Sequence, residues 1–149
     1  MCNPLNVDVL PDSIVSPDPR AAILSSIQLG LTILPDLCTR DCVVATAKLG
    51  GQSIIFASLY FDINLPVSQS CFQKLMRFAG DQGMPIIIGA DSNCHSTLFG
   101  PDQNKRGDEL DEWISEHCLS IANNRHTPTF RRTGAKSCID VTLFRDVTG

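Results

Sequence analysis

The sequence predicts an α/β fold, layered rather than a pure β-sandwich, and three observations carry that prediction. Residues 40–49 and 52–60 are two β-rich runs parted by Gly50-Gly51, the pattern of a hairpin. Between residues 68 and 80 the apolar Phe72, Leu75, Met76 and Ala79 recur at i, i+3, i+4 and i+7, which is one face of a helix. That helix leads into Pro85-Ile86-Ile87-Ile88-Gly89-Ala90, an apolar run broken abruptly by Asp91-Ser92-Asn93-Cys94-His95. Such a run reads as a buried strand that delivers polar groups at its C-terminal end. A helix crossing between strands favours a layered α/β arrangement, and the C-terminal ends of strands are where such folds place their chemistry.

The elements follow in order. Residues 1–18 carry Pro4, Pro11 and Pro17 with scattered acids and little periodicity, and are expected to be an irregular lead-in. Residues 19–25 and 29–34 are short strand candidates, the second closed by Pro35. The hairpin comes next, and Tyr60, Phe61 and Asp62 stand where its second strand gives out. A phenol there either packs at the sheet edge or positions a phosphate. For the helix over 68–80, Ser68 or Ser70 is the expected N-cap and Gly80 the C-cap. A second helix is expected from Asp108 onward, with Leu110, Trp113, Ile114 and Cys118 at helical spacing. Its acids, Asp108, Glu109, Asp111 and Glu112, crowd the first turns, where the helix dipole favours negative charge; their expected role is capping and solvation. Residues 119–122 form a short strand candidate, 123–127 a turn and 129–131 an extended piece. In the last run, 137–144, Ile139, Val141 and Leu143 face one side while Asp140 and Thr142 face the other.

Composition bounds the function. A chain of 149 residues with 43% hydrophobic and 19% charged content is one globular domain or part of one. No apolar run approaches the ~20 residues that span a bilayer, so no membrane partner is expected. No basic stretch followed by an apolar core succeeds Met1, and no signal peptide is expected. The seven cysteines are odd in number and lack CxxC pairs, which fits reduced thiols in an intracellular protein better than zinc or disulfides. Cys94, inside the polar cluster, is the thiol expected to be reachable. A net charge of −4 excludes wholesale coating of DNA. Even so, residues 123–136 hold Arg125, His126, Arg131, Arg132 and Lys136 without an acid, either a local basic patch or a solvated loop. No P-loop, GxGxxG, HExxH or GxSxG motif occurs.

Asp91 and Asn93 are two apart, so both project to one face if strand geometry persists. A carboxylate and an amide so placed can hold a hard metal ion, a phosphate oxygen or an attacking water; ordinary turn formation is the alternative. Strand ends also offer Tyr60, His95, Thr129, Ser137 and Asp140. If these converge beside the basic patch, the set suits metal-assisted cleavage of a phosphodiester.

Gly89-Ala90-Asp91-Ser92-Asn93-Cys94-His95-Ser96-Thr97-Leu98-Phe99-Gly100, Arg106-Gly107-Asp108-Glu109-Leu110, Thr127-Pro128-Thr129-Phe130-Arg131 and Ser137-Cys138-Ile139-Asp140-Val141-Thr142-Leu143 together carry a resemblance. In order and spacing, from Ser53 onward, the series resembles the endonuclease domain of non-LTR retrotransposons, a branch of the endonuclease/exonuclease/phosphatase family. The resemblance implies a partial four-layer α/β sandwich, two packed β-sheets flanked by helices, as one incomplete domain over residues 1–149. It implies Mg²⁺-dependent nicking of target DNA, with Mn²⁺ as a substitute ion. The nick would prime the reverse transcriptase carried by the remainder of a retrotransposon polyprotein, in the nucleus of an otherwise cytoplasmic life cycle.

Residue by residue, the resemblance makes Tyr60 the tyrosine near the scissile phosphate. Asp91 becomes the acid that orients the water and touches the metal, and Asn93 the amide that holds water and phosphate. Asp140 becomes the aspartate that orients a histidine, supported by Ser137. Thr129, His95, Arg125 and Arg131 become substrate contacts. The family's metal-binding glutamate has no counterpart before Arg20, and its closing Ser-Asp-His strand is not found, so a truncated copy with weak or no activity alone is expected. Two other functions fit the same residues: a phosphatase or phosphodiesterase of the superfamily, and a non-catalytic nucleic-acid-binding remnant.

Overall fold

Six strands pair into one sheet because the chain alternates extended runs with connections of matched length. The computed structural model describes residues 12–15, 18–25, 28–69 and 71–146. Among them the strands are β1 (Asp12–Val15), β2 (Ala22–Ser25), β3 (Thr32–Ile33), β4 (Cys42–Leu49), β5 (Gln52–Tyr60), β6 (Ile86–Asp91), β7 (Ser120–Ile121), β8 (Phe130–Arg132), β9 (Ala135–Ser137) and β10 (Asp140–Arg145). The helices are α1 (Phe72–Gln82) and α2 (Lys105–Glu116). The main sheet has the order β3-β4-β5-β6-β10-β7. β1–β2 and β8–β9 form two separate ribbons.

The β4–β5 hairpin turns on Gly50 and Gly51, both at positive φ (57° and 83°), as a two-residue hairpin turn of matching twist requires. β5 and β6 run parallel, joined by the crossover through α1. β10 returns antiparallel beside β6.

Period-two alternation divides the sheet into two faces. Val44, Ile55, Leu59, Ile86, Ile88, Val141 and Leu143 are buried in one cluster with Phe72, Leu75, Met76 and Ala79 of α1 and Leu110 and Ile114 of α2. Both helices therefore cover the same face. Phe72 joins them, its ring centroid 5.3 Å from Trp113 and 5.8 Å from His117. On the opposite face β2 packs over β4 and β5, and β1 over β4. This is why Val43 and Val44, neighbours pointing opposite ways, are both fully buried. The architecture is the expected layered α/β type: helices, main sheet, and part of a second sheet layer.

Local corrections follow from backbone geometry. Residues 12–15, expected within an irregular lead-in, form a strand paired with β2; residues 1–11, 16 and 17 of that stretch lie outside the described residues. α1 is preceded by Cys71, whose side chain makes no capping bond, and ends at left-handed Gly83 rather than at Gly80. α2 begins earlier than expected, because the Asn104 side chain accepts from the Gly107 N–H at 2.8 Å and caps it. Cys118 falls beyond its end, exposed and at positive φ. Cys94, expected to be reachable, is fully buried with its thiol donating to the Ser92 carbonyl at 3.0 Å. Its thiol is pushed up in pKa by burial and is the opposite of a reactive one.

Candidate functional site

Strand register assembles the site. β5 and β6 are parallel and end at the same edge of the sheet, and β10 is antiparallel and begins there. Tyr60 therefore lies opposite Asp91, and Asp91 opposite Asp140, across three adjacent strands. Directly opposed residues share a face, and this is the face the helices leave open. The next row inward on that face is Ser58, Gly89 and Thr142, and the one after it Phe56, Ile87 and Phe144. The face thus grades from acids and phenol at the rim, through small residues, to apolar ones. A hollow of about 380 Å³ lies over Asp91, Asp140 and the second row, with Arg20, Gly89, Asn123 and Thr129 also in its lining, whereas Tyr60 lines an adjoining hollow of about 370 Å³ with Asp41, Asp62 and Arg106.

Asp140 is held at both backbone groups by side chains. Its N–H donates to Thr129 Oγ1 at 3.1 Å, and its carbonyl accepts from Asn123 Nδ2 at 2.8 Å. Thr129 also accepts from the Ile139 N–H at 3.2 Å, so the threonine expected to touch substrate anchors the start of β10. Ser92, fully buried, donates its hydroxyl to the Ile139 carbonyl at 2.6 Å and ties the chain after β6 to the same point.

Asn93 departs from the sequence expectation. The strand ends at Asp91, and Asn93 sits at φ 48°, so it does not project beside Asp91 along a continued pleat. Its amide donates instead to the Phe61 carbonyl at 2.9 Å, while its own N–H donates to Asp91 Oδ1 at 3.3 Å. Arg106 locks this turn by donating to three carbonyls, those of Asn93, Asp62 and Leu65. His95 follows, half-buried, with its N–H donating to Asn104 Oδ1 at 3.2 Å and its carbonyl accepting from the Asn104 N–H at 3.0 Å. It is not among the residues lining the hollow over Asp91 and Asp140.

The remaining predicted residues lie elsewhere. Ser137 and Arg125 line a separate hollow of about 270 Å³ with His126 and Lys136, and the Ser137 carbonyl accepts from the N–H of Thr129, whose hydroxyl holds the Asp140 N–H. Arg131 is exposed on β8, opposite Lys136 across the β8–β9 ribbon. The basic patch is therefore a protruding hairpin beside the acidic rim.

Burial and the neighbouring Asp140 charge raise the Asp91 carboxyl above the usual aspartate range, and the Asn93 N–H only partly offsets them. Among the described residues neither Asp91 nor Asp140 has a cationic partner at ion-pair distance. Two neighbouring acids without a protein cation are a donor set suited to a hard cation, whose remaining ligands come from water or phosphate. No group of three His, Cys, Asp or Glu side chains clusters as a metal site among the described residues. Because folding raises the Asp91 pKa, the native state holds that proton more tightly than the unfolded chain. The Asp91 contribution to stability is then fully present below the usual aspartate range and is lost as pH rises through it toward the raised value. Asp91→Asn is expected to remove that loss and to melt higher than wild type at neutral pH, read as Tm against pH.

Arg20, Asn123, Arg106 and Gly107 were not distinguishable as site residues by type or spacing. Arg106 and Gly107 do lie within a quoted motif, and that is the one signal that could have pointed to them.

Residues 54–148 match the family model described as endonuclease-reverse transcriptase. The endonuclease domain of TRAS1, a telomere-specific non-LTR retrotransposon, superposes with a TM-score of 0.76 at 28% identity over 89% of this chain. The chain spans 65% of the length of that domain. Two further structures overlap it in part. The human Nocturnin catalytic domain does so at 14% identity and a TM-score of 0.48, over 71% of this chain and 42% of its own. An endonuclease/exonuclease/phosphatase family protein from Leptotrichia buccalis does so at 17% and 0.43, over 69% and 41%. No curated protein matches the sequence. The row of Tyr60, Asp91 and Asp140 thus sits on the fold of the endonuclease/exonuclease/phosphatase proteins, and the chain belongs to the endonuclease-reverse transcriptase family.

Proposed function

We propose that the chain is the Mg²⁺-dependent endonuclease part of a non-LTR retrotransposon polyprotein, nicking target DNA in the nucleus to prime a reverse transcriptase carried elsewhere in that polyprotein. The observation that carries the reading is the in-register row of Tyr60, Asp91 and Asp140 at one sheet edge, on a chain of this family. Asp91 and Asp140 would hold the ion, with Mn²⁺ able to substitute, and the ion when bound neutralises phosphate charge and polarises the scissile bond.

The chain's own groups do the rest. Asp91, whose raised proton affinity suits a base, takes the proton of the attacking water. Tyr60 presents its phenol to a phosphate oxygen. Asn93, through its amide bond to the Phe61 carbonyl, fixes the turn after Asp91 that Arg106 locks, and Asp140, whose charge raises the proton affinity of Asp91, strengthens it as a base. Arg125, Arg131 and Lys136 meet the backbone phosphates beside the row, with Ser137, in the hollow that Arg125 and Lys136 line, as a further substrate contact. With two acids as the donor set, activity of residues 1–149 alone is weak.

Supercoiled plasmid in Mg²⁺ tests the reading: relaxation to the nicked form, absent in EDTA, supports it. DNA binding that falls with salt but never yields a nick would mark a binding remnant, and release of phosphate from a small monoester without nicking would mark a phosphatase. Arg131→Ala is expected to lower the slope of log affinity against log salt by about 0.9, one phosphate contact, measured by fluorescence anisotropy on duplex DNA.

A further inference from the structure

Tyr60, the only tyrosine in the sequence, leaves β5 level with Asp91, and one face of its ring is covered by a cation. The Arg20 guanidinium carbon lies 4.5 Å from the ring centroid, within the range of a stacked cation–π contact. That guanidinium is fixed from three directions. Nε and Nη2 donate to the two oxygens of Asp41 at 2.6 Å each, and Nη1 donates to Asp62 Oδ2 at 2.9 Å. Asp62 is held in turn by the Asn64 N–H at 2.9 Å and amide at 3.1 Å. The Arg20 N–H donates to the Arg40 carbonyl at 2.9 Å, which seats the residue beside the start of β4.

An arginine recruited for phosphate would keep its bidentate edge free. Here that edge is spent on Asp41, and two carboxylates outweigh its single charge, so the cluster repels an anion. What remains for the guanidinium is the ring it stacks on. Only a planar fork can grip a carboxylate with two parallel bonds while lying flat on an aromatic face; a lysine supplies a point charge and does neither.

We propose that Arg20 is a positioning residue for Tyr60: clamped by Asp41 and Asp62, it fixes the phenol beside the Asp91–Asp140 row without itself binding the scissile phosphate. The functional half of this statement rests on the nuclease reading; the placement of the ring does not. The single tyrosine makes the placement directly observable. In protein labelled with ¹³C-tyrosine, the ring signals of Arg20→Lys are expected to shift from wild type and to sharpen as ring flips speed up, with Trp113 fluorescence unchanged. Asp62→Asn, which removes one clamp and leaves the Asp41 pair, is expected to move the same signals in the same direction by less. In the nicking assay Arg20→Lys is expected to lower kcat about tenfold, the size of one lost cation–π contact, with KM for DNA held within about twofold. Adding Arg20→Lys to Tyr60→Phe is expected to cost no more than Tyr60→Phe alone. Ring signals of both variants that superimpose on wild type overturn the proposal, and so does a rise in KM at unchanged kcat, which would make Arg20 a phosphate contact. A wild-type chain that nicks nothing defeats the nuclease reading instead, and the ring spectra then still decide whether Arg20 places Tyr60.

Discussion

Asp91→Ala is expected to lower the nicking rate by about 10²–10⁴-fold, the loss that follows removal of a positioned general base, while duplex DNA binding holds or tightens because a negative charge has left the site. The measurement is single-turnover nicking beside anisotropy on the same DNA. The expectation rests on Asp91 being the middle member of the row, half-buried and opposed by Tyr60 on one strand and Asp140 on the other. Asp140 also bears on how Asp91 titrates, since its charge is the second cause, after burial, of the raised Asp91 pKa. In the metal-free chain Asp140→Asn should therefore bring the Asp91 carboxyl down, read by an NMR titration of that carboxyl. An Asp91→Ala chain that nicks at the wild-type rate would remove the base from the reading altogether.

The largest expected loss of stability lies at Gly107. In the first turns of a helix, alanine for glycine ordinarily stabilises by up to about 1 kcal/mol. At this position a Cβ would stand 1.8 Å from the His95 carbonyl oxygen and 2.7 Å from its carbon. That carbonyl cannot retreat freely, because it accepts from the Asn104 N–H while Asn104 caps α2 through the Gly107 N–H. Gly107→Ala is thus expected to destabilise by about 3 kcal/mol, the scale of forced overpacking, lowering Tm by roughly 10 °C. It should also loosen the Asn93 turn, since Arg106 grips that turn from the adjacent position. Gly80→Ala is the matched control: a Cβ there meets nothing within 4 Å, so α1 should gain the usual helix preference. Thermal melts that rise for both variants would mean that the approach of α2 to His95 is looser than these distances.

Much of the architecture is legible before any coordinates. The Gly50-Gly51 hairpin, the α1 stripe of Phe72, Leu75, Met76 and Ala79, and the Ile86–Asp91 strand all follow from local periodicity and turn chemistry, which neighbouring residues determine. The acids of α2 are expected to cap and solvate, whereas Asp111 accepts from the buried Ser96 hydroxyl at 2.6 Å and ties the helix to the chain after β6. Boundaries were less legible. Asn104 rather than a residue nearer Asp108 caps α2, and Gly83 rather than Gly80 ends α1, because which of several capable residues takes a cap depends on where the chain must turn next.

The candidate site divides the same way. Residue types and spacing by themselves singled out Tyr60, Asp91 and Asp140 as polar groups where strands begin or end, without placing the three strands in one sheet. Whether they meet was decided by tertiary structure: the parallel β5–β6 pair and the antiparallel return of β10 set one register, and a slip of one residue would have turned every one of these side chains to the helix-covered face. Asn93 left the pleat because its amide and the Arg106 fork bond carbonyls more than thirty residues away in sequence. Arg20 reached Tyr60 through two aspartates that no spacing rule connects to it. Local sequence governs backbone periodicity, but hydrogen bonds between distant segments exist only once the chain has folded, and those bonds aim the side chains of this site.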